Sequence, residues 1–448
     1  MNTGVVNMKE EEVLEIVEKE KVKFIEMQFM DMLGNVKTVS IPSKNLGRAI
    51  DEGVLFDGSS IVGYATIDES DLRAYPDLDT FLLFPWSDGH IKTGRIICDI
   101  YNSEGDRFKG DPRYILQKTM DKAEDMGYKF NTGPELEFFL FKFDENGKPT
   151  TIPDDHGGYF DLMPLDRAEK VRKECNLYFE EMGFEVEASH HEGASGQHEI
   201  DIRYNDALSI ADSILTLKHC IKTVAGMNDL HATFMPKPIE DVNGSGMHVH
   251  LSLFDKETKN RFYDENNENG LSEVMMYFIG GLMKYAQEMC SIQDSWVNSY
   301  KRLIPGYEAP VYVCWSYLNR SALFRIPAGR KDSTRVEVRN PDPAGNPYLQ
   351  FAVLLSAGLK GINNSISPPE PTEEDIYRLS REERKNKEIN SLPTNLGHAI
   401  SLMEESEFMK ETLGNHLFKH FLHKKREEWN EYRKHITEWE INQYLSNL

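Results

Sequence analysis

The run Gly133-Pro134-Glu135-Leu136-Glu137-Phe138 decides how the rest of this chain is read. Its acids stand at alternate positions, and in a β-strand alternate side chains share one face. Three further runs repeat the pattern: Glu199-Ile200-Asp201-Ile202-Arg203, His248-Val249-His250 and Arg335-Val336-Glu337-Val338-Arg339. Each predicts a strand with charge on one face and Leu, Ile or Val on the other. A solvated sheet face has the same look. The recurrence of carboxylates, imidazoles and guanidinium groups in one set favours a polyanionic substrate held by metal ions.

The segments around these runs carry the candidate chemistry. Glu135 and Glu137 side by side repel, and one would hold a proton unless a cation sat between them. In His190-His191-Glu192-Gly193-Ala194-Ser195-Gly196-Gln197-His198-Glu199, a Gly-rich turn would bring Glu192 and Glu199 within reach of one ion. Asn243-Gly244-Ser245-Gly246-Met247-His248 joins a turn with bare backbone amides, suited to a carboxylate or phosphate, to an imidazole at a strand start. Glu135, Glu137, Glu192, Glu199 and Glu337 with one histidine suffice for two divalent ions, and oxygen-rich ligand sets select Mg²⁺ or Mn²⁺ over zinc.

Basic partners lie late in the chain: Arg302, Arg320, Arg325, Arg330, Lys331, Arg335 and Arg339. Arginines in an acidic protein suit bidentate recognition of phosphate and carboxylate, although pairing with surface acids explains any single one. Residues 300–310, bounded by Pro and Gly, read as a loop with Glu308 near its tip, the pattern of a mobile lid or of an ordinary surface loop.

Bulk numbers bound these readings. The 448 residues suffice for two or three domains; 40% are hydrophobic and 28% charged, the composition of a soluble enzyme. Lys plus Arg number 51 against 74 Asp plus Glu, a net charge of −23, which disfavours nucleic-acid or anionic-membrane partners. Five dispersed cysteines without a Cys-x-x-Cys pair read as reduced thiols. The charged segment 9–23 leaves no room for an apolar signal core, and the longest oily run, 275–283, is far too short for a membrane span. A cytoplasmic protein is expected.

Periodicity predicts a helix over 8–22 and strands at 22–28 and 36–41 around a Met-Leu-Gly-Asn turn. Short strands follow at 80–85 and 95–100, with 53–63 as an ordered loop between the hairpin and these strands. Asp111-Pro112-Arg113 opens a helix. Helices are expected at 166–182, 206–226, 271–289 and 347–361, along the charged stretch 373–388, and through much of 401–446. The architecture expected is α+β: a small β-rich domain before a large domain built on a curved antiparallel sheet. Trp429, Tyr432, Trp439 and Tyr444 at helical spacing suit core or subunit contacts.

Seven segments in order resemble the type I glutamine synthetases, over nearly the whole chain: FDGSSI (56–61), GPELEFF (133–139), HHEGASGQHEID (190–201), NGSGMHVHLSL (243–253), KRLIPGYEAP (301–310), NRSALFRIP (319–327) and RVEVRNPDPAGNPYL (335–349). The resemblance implies a β-grasp domain over 1–107 and a catalytic domain over 108–448. It also implies a dodecamer of two hexameric rings with active sites between subunits, the neighbour supplying the Asp57 loop. The implied reaction ligates ammonia to L-glutamate at the expense of ATP, through γ-glutamyl phosphate. Glu137, Glu192 and Glu199 would hold one Mg²⁺ or Mn²⁺, and Glu135, His248 and Glu337 another. Arg302, Arg320 and Arg339 would face the glutamate carboxylate or the transferring phosphate, with Asn243 and Gly244 on the substrate. Arg325, Arg335, His250, Ser252 and Lys331 would face the nucleotide. Asp57 and Glu308 would be the ammonium-site acids, with Ser60 and Tyr159 near them.

Two departures bear on control. The family's adenylylated branch carries a tyrosine before a Leu-Pro; here Glu388-Ile389-Asn390-Ser391-Leu392-Pro393 has none. The shorter branch often carries an arginine after the DGSS loop, linked to glutamine feedback; this chain has Thr66 near that place. A glutamate–amine or polyamine ligase of the same fold is the alternative, disfavoured by the presence of both Asp57 and Glu308. A non-catalytic scaffold would have lost metal ligands, and none of the six is missing.

Overall fold

In a computed structural model of the chain, residues 8–65, 70–87 and 89–448 are described, so Thr66 lies outside the described residues. The N-terminal hairpin forms as its pattern predicts, Phe24–Met30 pairing antiparallel with Val36–Pro42 so that Met30 faces Val36. Phe24–Met30 also runs parallel to Thr93–Tyr101. Asp71–Pro76 and Val54–Asp57 complete that side of the six-stranded β-grasp sheet, and Leu82–Leu83 pairs with Thr93–Tyr101. The helix Glu10–Lys19 lays Val13 and Val17 into the sheet's core.

Several boundaries differ from expectation, each for a local reason. The first helix stops early because Lys21 adopts a left-handed φ of 56°. The strand expected at 80–85 shrinks to two residues because Leu78–Thr80 winds into a 3₁₀ turn capped by Asp77. Four residues of the expected loop 53–63, Val54–Asp57, are strand, with Asp57 opposite Asp71. The stretch 373–388 is no continuous helix: Asp375 caps a 3₁₀ turn, and Ser380 starts the short helix Arg381–Asn386 with a capping box. The C-terminal region divides at Ser406, and again after Tyr432, into Leu396–Glu405, Glu407–Tyr432 and Glu438–Tyr444, the middle stretch being broken at Gly414, where φ is 73°.

The larger sheet has ten strands built on Lys129–Phe143, flanked by Met247–Phe254 on one side and Gln197–Ile202 on the other. Its order continues outward through Val336–Val338, Phe324–Arg325 and Trp315–Ser316 on one edge and Val186–His191 on the other. Leu136, Phe138, Ile200, Val249 and Leu251 form its buried face. That face shares one buried apolar cluster with residues of Ala207–Met227, Glu273–Gln293 and Pro347–Asn363. Pro347–Asn363 is apolar almost all round, the mark of a helix enclosed by others. It crosses Glu273–Gln293 backbone to backbone: a Cβ on Gly281 would lie 2.1 Å from the Ala357 carbonyl, and one on Gly361 2.0 Å from that of Tyr277.

A buried guanidinium fixes the small sheet to this body. Arg113, 3% exposed, bonds to Asp77 and Asp99 at 2.6 Å each and to both oxygens of Asp212 at 3.1 and 2.9 Å. Tyr348 donates to Asp212 at 2.6 Å. All five cysteines are buried and unpaired by disulfides. No described helix is long and apolar enough to cross a membrane.

Candidate active site

Strand register assembles the site. Glu199 lies opposite both His190 and Glu137; Asp201 lies opposite Glu135, which lies opposite His248; His250 lies opposite Glu337, which lies opposite Arg325. Paired residues project to the same side, so the alternation seen in the sequence becomes a two-dimensional array of charge on the open face. Above it lies a cavity of about 340 Å³. Its walls include all six expected ligands together with Asn243, Gly244, Arg302, Glu308, Arg320, Arg325, Arg339 and Tyr159.

The acids gather in two groups. Glu135, His248 and Glu337 bring donor atoms within 4.8 Å of one another, with His248 Nδ1 2.8 Å from Glu135 and 3.9 Å from Glu337. In the second group the tight set is His190, Glu192 and Glu199, rather than Glu137 with the latter two. His190 lies 3.1 Å from Glu199 and 3.4 Å from Glu192. Glu137 stands alongside, one oxygen already taken by Gln197 Nε2 at 2.8 Å and the Gly246 amide at 3.0 Å.

The electrostatics of the two groups differ. Burial alone would raise Glu135, but hydrogen bonds to His248 and His250 overcome it and hold it well below the usual range. Glu337, also buried, is lowered by His248, His250 and Arg339. In the other group burial and mutual repulsion win: Glu199 is pushed up to about 12, Glu137 to about 8 and Glu192 to about 7. Asp201 rises to about 7, chiefly through burial and then the charge of Glu135. Acids so crowded need either protons or a multivalent cation. The donor set, carboxylate oxygens with an occasional imidazole, fits a hard divalent ion.

Three amides of the glycine-rich turn bond to the protein itself: Ser245 donates to the Pro236 carbonyl at 2.8 Å, Gly246 to Glu137, and Met247 to the Pro341 carbonyl at 2.8 Å. The glycines are there for close approach, since a Cβ on Gly244 would lie 2.2 Å from the Pro236 carbonyl and one on Gly246 2.5 Å from Arg302. Arg302 is 3% exposed and donates to the Asn340 and Arg339 carbonyls at 2.7 and 3.1 Å. Arg325 and Arg339 clamp Glu337 from both sides, at 2.6 and 3.2 Å.

A second cavity, of about 260 Å³, takes in His250, Ser252, Ser333 and Arg335, and shares Glu135 and Asp201 with the first. Arg335 donates to His250 Nδ1 at 3.1 Å, so the other ring nitrogen carries the proton that His250 gives to Glu135 at 2.8 Å. Lys331 is exposed at a left-handed turn beside this cavity and is not one of its lining residues. Asp57 ends a strand of the N-terminal sheet and Ser60 lies in the 3₁₀ turn that follows, both outside the two linings. Asp57 is lowered by bonds from its own loop: Ser59 gives its hydroxyl at 2.6 Å and its amide at 2.9 Å, and Ser60 gives its hydroxyl at 2.6 Å.

Three wall residues escaped the sequence reading as site candidates. His190 stands next to two more conspicuous residues, and only the register with Glu199 singles it out. Gln197 ties Glu137 to the Gly244 carbonyl at 3.1 Å, a role no residue pattern signals. Phe160 stacks on Tyr159 with centroids 4.2 Å apart.

The chain is similar to known proteins over nearly its whole length. Residues 21–103 match the β-grasp domain of glutamine synthetase and residues 109–444 its catalytic domain. The chain is 52% identical to the glutamine synthetase of Methanosarcina mazei over 438 residues, 98% of each chain. It is 50% identical to that of Clostridium saccharobutylicum over 436 residues, 97% of this chain and 98% of the relative. Among solved structures, apo GmaS without ligand superposes with a TM-score of 0.87 at 31% identity, covering 97% of this chain and 99% of its own. Plasmodium falciparum glutamine synthetase gives 0.87 at 26% identity, covering 98% and 99%. On these matches the chain belongs to the glutamine synthetase family, whose members use ATP and divalent metal ions.

Proposed function

We propose that this chain makes L-glutamine from L-glutamate, ammonium and ATP through a γ-glutamyl phosphate, with glutamate in the larger cavity and ATP in the smaller. The observation that carries this reading is the convergence of acids and arginines from separate strands on one wall, with Glu137, Glu192 and Glu199 forced upward by burial and crowding. Glu135, His248 and Glu337 would hold one Mg²⁺ or Mn²⁺, and Glu192, Glu199 and Glu137, with His190 beside them, a second. When bound, such ions offset charge on the nucleotide phosphates and on the phosphoryl group in transfer.

The chain's own groups do the rest. Arg320 and Arg339 line the larger cavity, where they can hold a carboxylate or a transferring phosphoryl group; Arg302 braces the turn under Gly246 and can offer only an edge. Arg325 is free to exchange Glu337 for phosphate oxygens once a cation takes over that carboxylate. His250, Ser252 and Arg335 line the nucleotide side, with Lys331 at its margin. Glu308, exposed on a left-handed turn after Gly306, is placed to close over the cavity, exclude water from the acyl phosphate and accept a proton from the amide-forming adduct.

Asp57 would help deprotonate ammonium in a neighbouring subunit, with Ser60 holding its carboxylate and Tyr159 at the rim of the receiving cavity. That division of labour needs the ring assembly, a dodecamer of two hexamers. The partition of the chain into 1–107 and 108–448 belongs to the same reading and is supported by matches to 21–103 and 109–444. One assay tests the function: ADP release with glutamate, with and without ammonium, and across a panel of primary amines and polyamines. Ammonium-dependent glutamine formation is expected. Preference for a larger amine, or no glutamate-dependent ADP release, would overturn it.

A further inference from the structure

Behind the turn that carries Glu192 and Glu199 runs a buried polar chain that the reaction leaves unused. Asp155 is 1% exposed, and His191 and His198 are 0% exposed. One oxygen of Asp155 accepts from the Gly196 amide at 2.7 Å and lies 3.1 Å from His191 Nε2. His191 Nδ1 is 2.7 Å from the Glu192 carbonyl; a carbonyl only accepts, so the ring donates. The second Asp155 oxygen is 3.8 Å from His198 Nε2, and neither of these atoms has a hydrogen-bond partner. His198 Nδ1 is 2.8 Å from Arg172, which makes two bonds to Asp166 at 3.1 and 2.6 Å.

Asp155, His191 and His198 bring donor atoms within 4.8 Å of one another, a spacing that would suit a metal ion. The tautomer argues against one. Arginine has no acceptor, so Arg172 donates and His198 Nδ1 carries the lone pair. The proton of the neutral ring then sits on Nε2, facing Asp155, with no lone pair for a cation. The triad instead grips the ligand-bearing turn at two points: His191 immediately before Glu192, and Gly196 three residues before Glu199. Asp155 and Asp166 also bracket the segment that puts Tyr159 and Phe160 at the cavity's edge, so both its ends join the same buried chain.

We propose that Asp155 is a positioning residue for the reaction: it fixes the 192–197 turn, and with it the separation of Glu192 from Glu199, while Arg172 and Asp166 hold in place the His198 ring that faces its other oxygen. This rests on the reading of Glu192 and Glu199 as cation ligands. Mn²⁺ titration of the full-length protein without substrates, followed by electron paramagnetic resonance, tests it. Glu192→Gln identifies which binding phase belongs to this group. Asp155→Asn, nearly isosteric, should weaken that same phase about tenfold, the size expected for a group behind a metal ligand, and leave the other phase within about twofold. The two substitutions together should weaken it by less than the product of their separate effects.

A merely structural role would lower the unfolding midpoint and leave Mn²⁺ affinity alone, which refutes the proposal. So does equal weakening of both phases, or the disappearance of a third bound ion, which would make the triad a cation site. If Asp155→Asn does not fold, Arg172→Lys carries the test: it keeps the charge, loses the fork, and should weaken the same phase. If Glu192→Gln leaves Mn²⁺ binding intact, the ligand reading itself fails and this inference falls with it.

Discussion

Replacing Glu199 with glutamine should strengthen the metal-free protein while destroying its capacity for metal. Glu199 is 7% exposed, and burial together with Glu137 and Asp201 pushes its pKa from an ordinary 4.5 up to about 12. At pH 7 the folded state therefore keeps a proton that the unfolded chain has lost. The folded state binds more protons, so this group's contribution to stability falls as pH rises above 4.5. At about 1.36 kcal/mol per pH unit, holding the proton at pH 7 costs about 3.4 kcal/mol. Glutamine keeps the shape and needs no proton, so Glu199→Gln should recover about 3 kcal/mol at pH 7 and about 1.4 kcal/mol at pH 5.5. Urea unfolding of both proteins in chelator, at the two pH values, reads the difference. Mn²⁺ affinity of the variant should meanwhile fall at least about a hundredfold, beyond the usual effect of groups behind the ligands. A variant less stable than the parent at pH 7, or a gain that ignores pH, would refute the reasoning.

Between pH 6.5 and 8, Glu137 and Glu192 should make the metal-free protein lose stability as pH rises, because the folded state holds their protons longer. Saturating Mg²⁺ should flatten that slope, and an apo protein that gains stability over this interval would contradict the assignment. Glu308→Ala should release phosphate from ATP and glutamate without forming amide; unchanged coupling of ADP to glutamine would remove its lid role. Gly281→Val, whose Cβ would meet the Ala357 carbonyl at 2.1 Å, should cost about 3 kcal/mol or prevent folding. Gly47→Ala, with nothing within 4 Å, is the matched control and should be neutral or gain about 0.4–1 kcal/mol in thermal unfolding.

Strand alternation made the site legible because a period of two survives in one dimension. Glu135, Glu137, His248 and Glu337 could be assigned to one face before any pairing was known. What alternation cannot give is register, which decides that Glu199 meets His190 and Glu137 rather than its other neighbours. Gln197 was invisible for the same reason: its importance comes from a carbonyl and a carboxylate distant in sequence. The glycines of the 243–246 turn stand out in the sequence, but the close packing they permit does not. Gly246 makes room for Arg302, and that demand exists only once the chain has folded. Long apolar helices, such as Ala207–Met227, appear where expected. The charged stretch 373–388 did not, because Ser380 caps a fresh helix there and charge alone specifies no buried face.

Glu135 and Asp201 border both cavities, so the partition between them is a single layer of side chains. Whatever fills one compartment alters the charge felt in the other directly, without any hinge or subunit rotation to carry the message. Tenants on either side of so thin a party wall would sense each other's arrival through these two carboxylates.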